Sequence, residues 1–542
     1  MIRWMHFFTA VVILTCLTGC QTPISSPDDL TIQLDAGLIS GTLVGSDGQI
    51  RAYKGIPYAA PPVGDWRWKP PQPAKGWDGV RETHQFSPVC PQPGSSYDLE
   101  SSASIATQEQ SEDCLYLNVW TGAVSSDERR PVMLWIHGGG FINGSGSRPK
   151  EDGAALARKG AVLVTINYRL GPLGYLAHPE LTAESEHNSS GNYGLLDQIA
   201  ALQWVQRNIA SFGGDPNRVT IFGWSRGASS VYYLVATSLA KGLFHQAIGQ
   251  SAGVVFRPMA HLKEDPLGVG PAEAIGIRFA SALEADEESS ALEVMRGKTA
   301  QEIIDTAYIS LPSSGRPILF LANVDGWVLS DQVYEIFARG EQNDVPVIVG
   351  SNADDGTVLL RPGQTFSQQG YQGRARGKYE HLSDEFFALY PVGSDEDARE
   401  AFLGETRDAN MTWGMRTWAR MMKTVSSEAY LYFFSRVPLR AEGETLGSYH
   451  GAEIPYVFTN VNTMDWTLED TDVELSRMMS DYWLNFASTG DPNGEGLPLW
   501  APYRLEEEPY MHFGDTVEPG SDGFLTREVD FFDSYSTWRR SR

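Results

Sequence analysis

The stretch "VTIFGWSRGAS" (219–229) constrains this chain more than any other. Apolar, β-favouring residues from Val219 to Phe222 run into Gly223-Trp224-Ser225-Arg226-Gly227, and a helical pattern follows. Gly-x-Ser-x-Gly between a strand and a helix lifts a serine above a sheet on a strained turn. It also aims the first N–H groups of the helix at a developing negative charge. The motif alone is modest evidence in a chain with 54 glycines. Its placement after a strand and before a helix makes Ser225 a candidate nucleophile. The two variable positions carry a large aromatic and a cation, Trp224 and Arg226.

The surrounding pattern repeats the same alternation. "VMLWIHGGG", "AVLVTINY" (161–168), "RVTIFG", "AIGQS" (247–251), "VPVIVG" (345–350) and "AYLYFFS" (429–435) read as buried strands. "LLDQIAALQWVQRNI" (195–209) between them has its apolar residues at three-to-four spacing, as an amphipathic helix does. Such an order predicts an α/β fold with a mostly parallel central sheet and helices on both faces. The segments 262–312 and 361–425 are more charged and less regular, and read as helical insertions. Length alone, 542 residues, would suggest several domains, but one large α/β domain over 32–542 with such insertions absorbs it. A hydrophobic fraction of 42% and 15 tryptophans supply a large core. The net charge of −26, spread along the chain, disfavours nucleic acid and anionic lipid as partners.

A serine nucleophile needs a base, and the base needs an orienting carboxylate further along the chain. His245, in "GLFHQAI", leaves no room for an acid on its own loop. His261 and His381 lie in charged, irregular surroundings that suit solvated surface. His450 lies in "GSYHGAEIPYVF", a glycine-containing loop after a strand, where it could reach the sheet's edge. For the acid, Asp354 and Asp355 in "VPVIVGSNADDGT" follow a buried strand, and Asp325 in "NVDGWV" is a third contender. Oxyanion stabilisation needs backbone donors, and "HGGGF" (137–141) after a strand offers them at Gly139 and Gly140, with the Arg226 N–H as a third.

The N-terminus has the form of a targeting segment. Arg3 precedes the short apolar run "FFTAVVILTCL", and "LTGC" then resembles a bacterial lipoprotein box ending at Cys20. This predicts a signal peptide over 1–19, lipidation of Cys20, and a flexible tether over 20–31. Gln21 after the cysteine implies sorting to an outer membrane, so the only membrane contact expected is the lipid anchor. Cys90 and Cys114 then remain in an exported chain, which invites one disulfide closing a loop of 24 residues.

These motifs together resemble the type-B carboxylesterases of the carboxylesterase/cholinesterase family of α/β hydrolases. The likeness extends over "YKGIPYAAPPVGDWRW", "EDCLYLNVW", "WIHGGGF", "NYRLGPLGYL", "VDGWVL", "YHGAEIPYVF" and "NFASTGDPN", in the family's order. It implies a serine esterase acting on a small-molecule ester through an acyl-enzyme, with no metal or other cofactor. It assigns Ser225 as nucleophile, His450 as base and Asp355 as acid, although the family usually has Glu there and Asp354 stays open. It also matches Cys90 and Cys114 to the family's first disulfide. The family elbow is typically Gly-Glu-Ser-Ala-Gly, so Trp224 replaces an acid and Arg226 an alanine. Trp224 and Phe141 are expected to line the substrate pocket, and Arg226 to pair with a protein carboxylate or a substrate one. The loop between the cysteines has no tryptophan to serve as a cation platform, so an aromatic or anionic ester is favoured over a choline ester. A catalytically silent binding protein on the same fold, or a hydrolase of an amide, thioester or carbamate, are the alternatives.

Overall fold

The computed structural model describes residues 30–45, 48–93, 108–253, 255–285, 290–310, 319–360, 363–440, 446–521 and 526–541. The signal peptide, Cys20 and nearly all of the tether expected from the sequence lie outside these residues. Eleven strands form the main sheet: β1 (Thr42–Val44), β2 (Ile50–Pro57), β3 (Tyr116–Thr121), β4 (Arg130–Ile136), β5 (Val162–Ile166), β6 (Gly214–Trp224), β7 (Gln246–Gln250), β8 (Val347–Asn352), β9 (Ala429–Phe434), β10 (Tyr510–Phe513) and β11 (Val517–Gly520). Their spatial order is β11-β10-β9-β8-β7-β6-β4-β5-β3-β2-β1. Every pair from β10 through to β5 is parallel, and the pairs at the two margins are antiparallel. A separate small sheet joins Thr31–Gln33, Leu38–Ser40 and Val80–Glu82.

The central strands are largely apolar and buried at nearly every position because both faces are covered, as in parallel sheets generally. Side chains alternate between the faces. Val132, Leu134, Ile136, Val219 and Ile221 enter one hydrophobic core, while Met133, Trp135, Phe222 and Trp224 enter the other. The first core packs α1 (Tyr193–Asn208) and α2 (Arg226–Ala236), and the second packs α3 (Asp470–Thr489). This is the α/β-hydrolase architecture that the resemblance implied. The irregular segments contain helices joined by irregular stretches, with Ala272–Ala282, Ala291–Gly297 and Ala300–Asp305 in the first. Gln368–Tyr379, Ser383–Leu389, Asp395–Arg407 and Trp413–Met421 occupy the second. Among the described residues no helix is long and apolar enough to cross a membrane.

Candidate active site

Ser225 stands at the end of β6 with φ +57° and ψ −123°, a left-handed region that a non-glycine residue adopts only at a cost. Its N–H donates to Gln250 O at 2.9 Å, and its carbonyl accepts from Ser229 N–H at 3.0 Å. The turn is held so tightly that a Cβ on Gly227 would meet Ile136 O at 2.0 Å, which explains the glycine there. β4 and β6 are neighbours, so the "HGGGF" loop after β4 lies against the elbow. Gly139 and Gly140 have φ +111° and +73°, and a Cβ on Gly139 would meet Asn143 O at 2.0 Å. The N–H groups of Gly139 and Gly140 make no hydrogen bond among the described residues, so both are available as donors. His137 is buried, stacked on Tyr168 and bonded to Gly138 O at 2.8 Å. Burial lowers its pKa to about 3, so this histidine is a neutral structural group.

The loops after β8 and β9 bring an acid and an imidazole to the same edge. Asp355 follows β8 and is fully buried; its Oδ1 lies 2.6 Å from His450 Nδ1. Asp355 Oδ2 accepts from Ser251 Oγ at 2.9 Å and from Asn352 N–H at 2.7 Å, which fixes the carboxylate's orientation. Asp354 instead accepts from Ser448 N–H at 2.7 Å and anchors the loop that carries His450. Asp325 accepts from Ser189 Oγ and from the N–H groups of Trp327 and Leu329, organising a turn elsewhere. Of the three acids considered, only Asp355 bonds to His450. His450 Nε2 makes no hydrogen bond among the described residues, and the ring packs 4.9 Å from that of Trp224, the neighbour of Ser225. Catalytic contacts of this kind often tighten only when substrate binds.

The other histidines are spoken for. His245 Nδ1 accepts from Val219 N–H, His261 bonds Gln332, and His381 sits exposed against Trp538. His512, also downstream of Ser225 and not among the candidates drawn from the sequence, bonds Ser435 Oγ on β9's far side. Cys90 and Cys114 are joined, with Cα atoms 5.0 Å apart. Among the described residues no cluster of His, Cys, Asp or Glu could hold a metal ion.

The expectation for Trp224 needs correction. It lies two residues after Phe222 on β6, so strand alternation turns its indole into the second core rather than toward a pocket. There it is 3% exposed, backing His450, with the Lys150 ammonium 5.0 Å from its ring. Phe141, expected to line the pocket, is also fully buried, at φ +62°; its ring packs 4.7 Å from Tyr175 and 5.6 Å from the Arg226 guanidinium. Arg226 does not pair with a protein carboxylate among the described residues; its Nη1 donates to Gly253 O at 3.1 Å. Three contributors were not singled out from the sequence: Ser251, Asn352 and Glu453. Glu453 is fully buried and accepts from Asn352 Nδ2 at 2.6 Å and Gln250 Nε2 at 3.2 Å. Burial and the nearby Asp355 charge raise its pKa. Its place three residues after His450 was the only available hint.

The chain is similar to known proteins along nearly its whole length. The sequence model of the carboxylesterase family matches residues 28–532. A fumonisin B1 esterase from Sphingopyxis macrogoltabida is 38% identical over 490 residues, covering 89% of this chain and 86% of that protein. Liver carboxylesterase from Sus scrofa is 34% identical, covering 93% of each chain. A solved PNB esterase structure superposes with a TM-score of 0.79 at 30% identity, over 92% of this chain and 99% of its own. The chain therefore belongs to the carboxylesterase family and is an enzyme that hydrolyses carboxylic esters.

Proposed function

We propose that Ser225, His450 and Asp355 carry out this hydrolysis through an acyl-enzyme. The observation that carries the reading is the 2.6 Å contact of His450 Nδ1 with Asp355 Oδ1, on an imidazole packed 4.9 Å from Trp224, the residue before a serine held at φ +57°. Asp355 accepts the Nδ1–H, which leaves the Nε2 lone pair as the base. Ser225 Oγ attacks the ester carbonyl carbon while its proton passes to His450 Nε2. The tetrahedral oxyanion is met by the N–H groups of Gly139, Gly140 and Arg226. Collapse breaks the bond to the alcohol oxygen, which leaves with the proton from His450. Water then attacks the acyl-Ser225, giving its proton to the same imidazole, and the acid is released with Ser225 restored. A fluorophosphonate probe is expected to label one site per chain, and peptide mapping to place it on Ser225. Stoichiometric label on any other residue would overturn the assignment.

We infer further that the substrate is not a choline ester. The elbow's acidic residue is replaced by Trp224, whose indole already faces Lys150, and Arg226 puts a positive charge beside the nucleophile. Both features favour an aromatic or anionic ester, and Trp224's inward placement leaves Arg226 as the stronger support. The relative named for fumonisin B1 puts that compound among the esters to assay. The chain is also proposed to be exported and held at a membrane by lipid on Cys20, on the strength of "FFTAVVILTCLTGC". Metabolic labelling with a fatty acid should mark the wild type and spare Cys20→Ser; equal labelling of both would refute the anchor.

A further inference from the structure

A cavity of about 270 Å³ adjoins the elbow, lined by Arg226, Arg257, Tyr175, Tyr233, Ile275 and Phe320 among others. Arg226 and Arg257 are the feature that needs explaining. The chain has 68 acidic residues against 42 basic ones, and four other enclosed arginines take carboxylate partners. Arg67 pairs with Glu112, Arg169 with Asp197, Arg416 with Glu508 and Arg436 with Asp472. Arg226 and Arg257 have none among the described residues: each is held by one backbone carbonyl, Gly253 O and Ala409 O respectively. Glu405, whose charge reaches Arg257, is already engaged by Lys378 and Arg374.

An enclosed guanidinium without a counter-charge is costly, and here burial lowers the pKa of both. Arg226 also repels Arg257. A guanidinium has five N–H donors in a fixed fork, so one carbonyl leaves most of them free, and none of these nitrogens is sealed from the cavity. The remaining lining is largely apolar, with Met259, Ile275, Leu319 and Phe320.

We infer that this cavity is an acid-side subsite for an acyl group bearing a free carboxylate, which Arg226 and Arg257 bind together. The inference rests on the proposed role of Ser225. The side is set by the base: His450 must protonate the departing alcohol, and neither His450 nor Trp224 lines the cavity. Arg226, by contrast, contributes its N–H to the ester carbonyl's oxyanion and its side chain to the cavity. The acid half of the ester thus extends from the oxyanion donors into the space between the two arginines. Its apolar wall suits a methylene chain between the ester carbonyl and the remote carboxylate.

The test compares kcat/KM for monoethyl adipate and ethyl hexanoate, an anionic and a neutral ester of equal chain length, in the wild type and Arg257→Gln. The wild type is expected to prefer monoethyl adipate by tenfold or more. Loss of a charged hydrogen-bond partner should lower that ratio by about ten- to a hundred-fold in Arg257→Gln. Ethyl hexanoate turnover should stay within about twofold, which also shows that the variant folds. A second pair, 4-(butyryloxy)benzoate and phenyl butyrate, moves the carboxylate to the alcohol. A preference there that Arg257→Gln abolishes would overturn the acid-side assignment. So would equal kcat/KM for adipate and hexanoate esters in the wild type, or a ratio unchanged by the substitution. Butyrylcholine serves as the cationic control and should be hydrolysed more slowly than ethyl butyrate. Ethyl hexanoate hydrolysis that Ser225→Ala leaves within about tenfold of wild type would instead indict the nucleophile, so the two readings fail separately.

Discussion

Ser225→Ala and His450→Ala are each expected to lower kcat by about 10⁵- to 10⁶-fold, and the double variant by no more than either one. The hydroxyl without its base is a poor nucleophile, and the base without the hydroxyl has nothing to activate, so the two losses do not add. Activity above the uncatalysed rate should survive in all three variants, because the Gly139 and Gly140 donors and the binding surfaces are untouched. Single-turnover assays with an activated aryl ester measure this directly. The wild type should release one equivalent of alcohol in a burst, and Ser225→Ala none. A double variant that is a further thousandfold slower than each single one would show that Ser225 and His450 work independently.

The second large effect separates two adjacent carboxylates. Asp355→Asn is expected to lower kcat by about 10⁴-fold with KM little changed, since an amide in place of the carboxylate favours the wrong imidazole tautomer. Asp355 Oδ2 is already filled by Ser251 Oγ and Asn352 N–H, so the side chain cannot easily turn to compensate. Asp354→Asn weakens the bond that the Asp354 carboxylate accepts from Ser448 N–H in the His450 loop. It should cost about 1–2 kcal/mol of stability, the weakening of a charged hydrogen bond, with kcat within about tenfold of wild type. Urea denaturation and steady-state kinetics on the same preparations give both numbers. If Asp354→Asn proves the slower enzyme, the acid assignment is reversed.

Much of the fold was legible because a parallel sheet covered on both faces leaves continuous apolar runs in the sequence. Each of the six runs read as strands is a strand of the main sheet, from β4 to β9. Ser225 and the Gly139–Gly140 loop were legible for a related reason. Their backbones need conformations and clearances that only particular residues allow, so the requirement is written locally as Gly-x-Ser-x-Gly and Gly-Gly-Gly.

The choice between Asp354 and Asp355 was not written in that way. Both follow β8, both meet the His450 loop, and only the direction of each side chain off the turn separates them. Trp224 shows the same limit from the other side. Its motif position suggested a pocket wall, yet its parity with Phe222 along β6 sends it into the core. That alternation was available in the sequence, but it counts only once the faces of the sheet are known. Ser251, Glu453 and Arg257 were not singled out, because their roles depend on neighbours 104, 101 and 152 residues away.

The sequence by itself determined the strand order of events along the chain, the strained serine and the family. Local backbone demands and hydrophobic periodicity act over a few residues, so a few residues record them. The tertiary structure alone decided which carboxylate holds His450, which way Trp224 faces, and that Arg226 and Arg257 share a cavity without a counter-charge among the described residues. Those are properties of distance in space between segments far apart in the chain, and no local pattern encodes them.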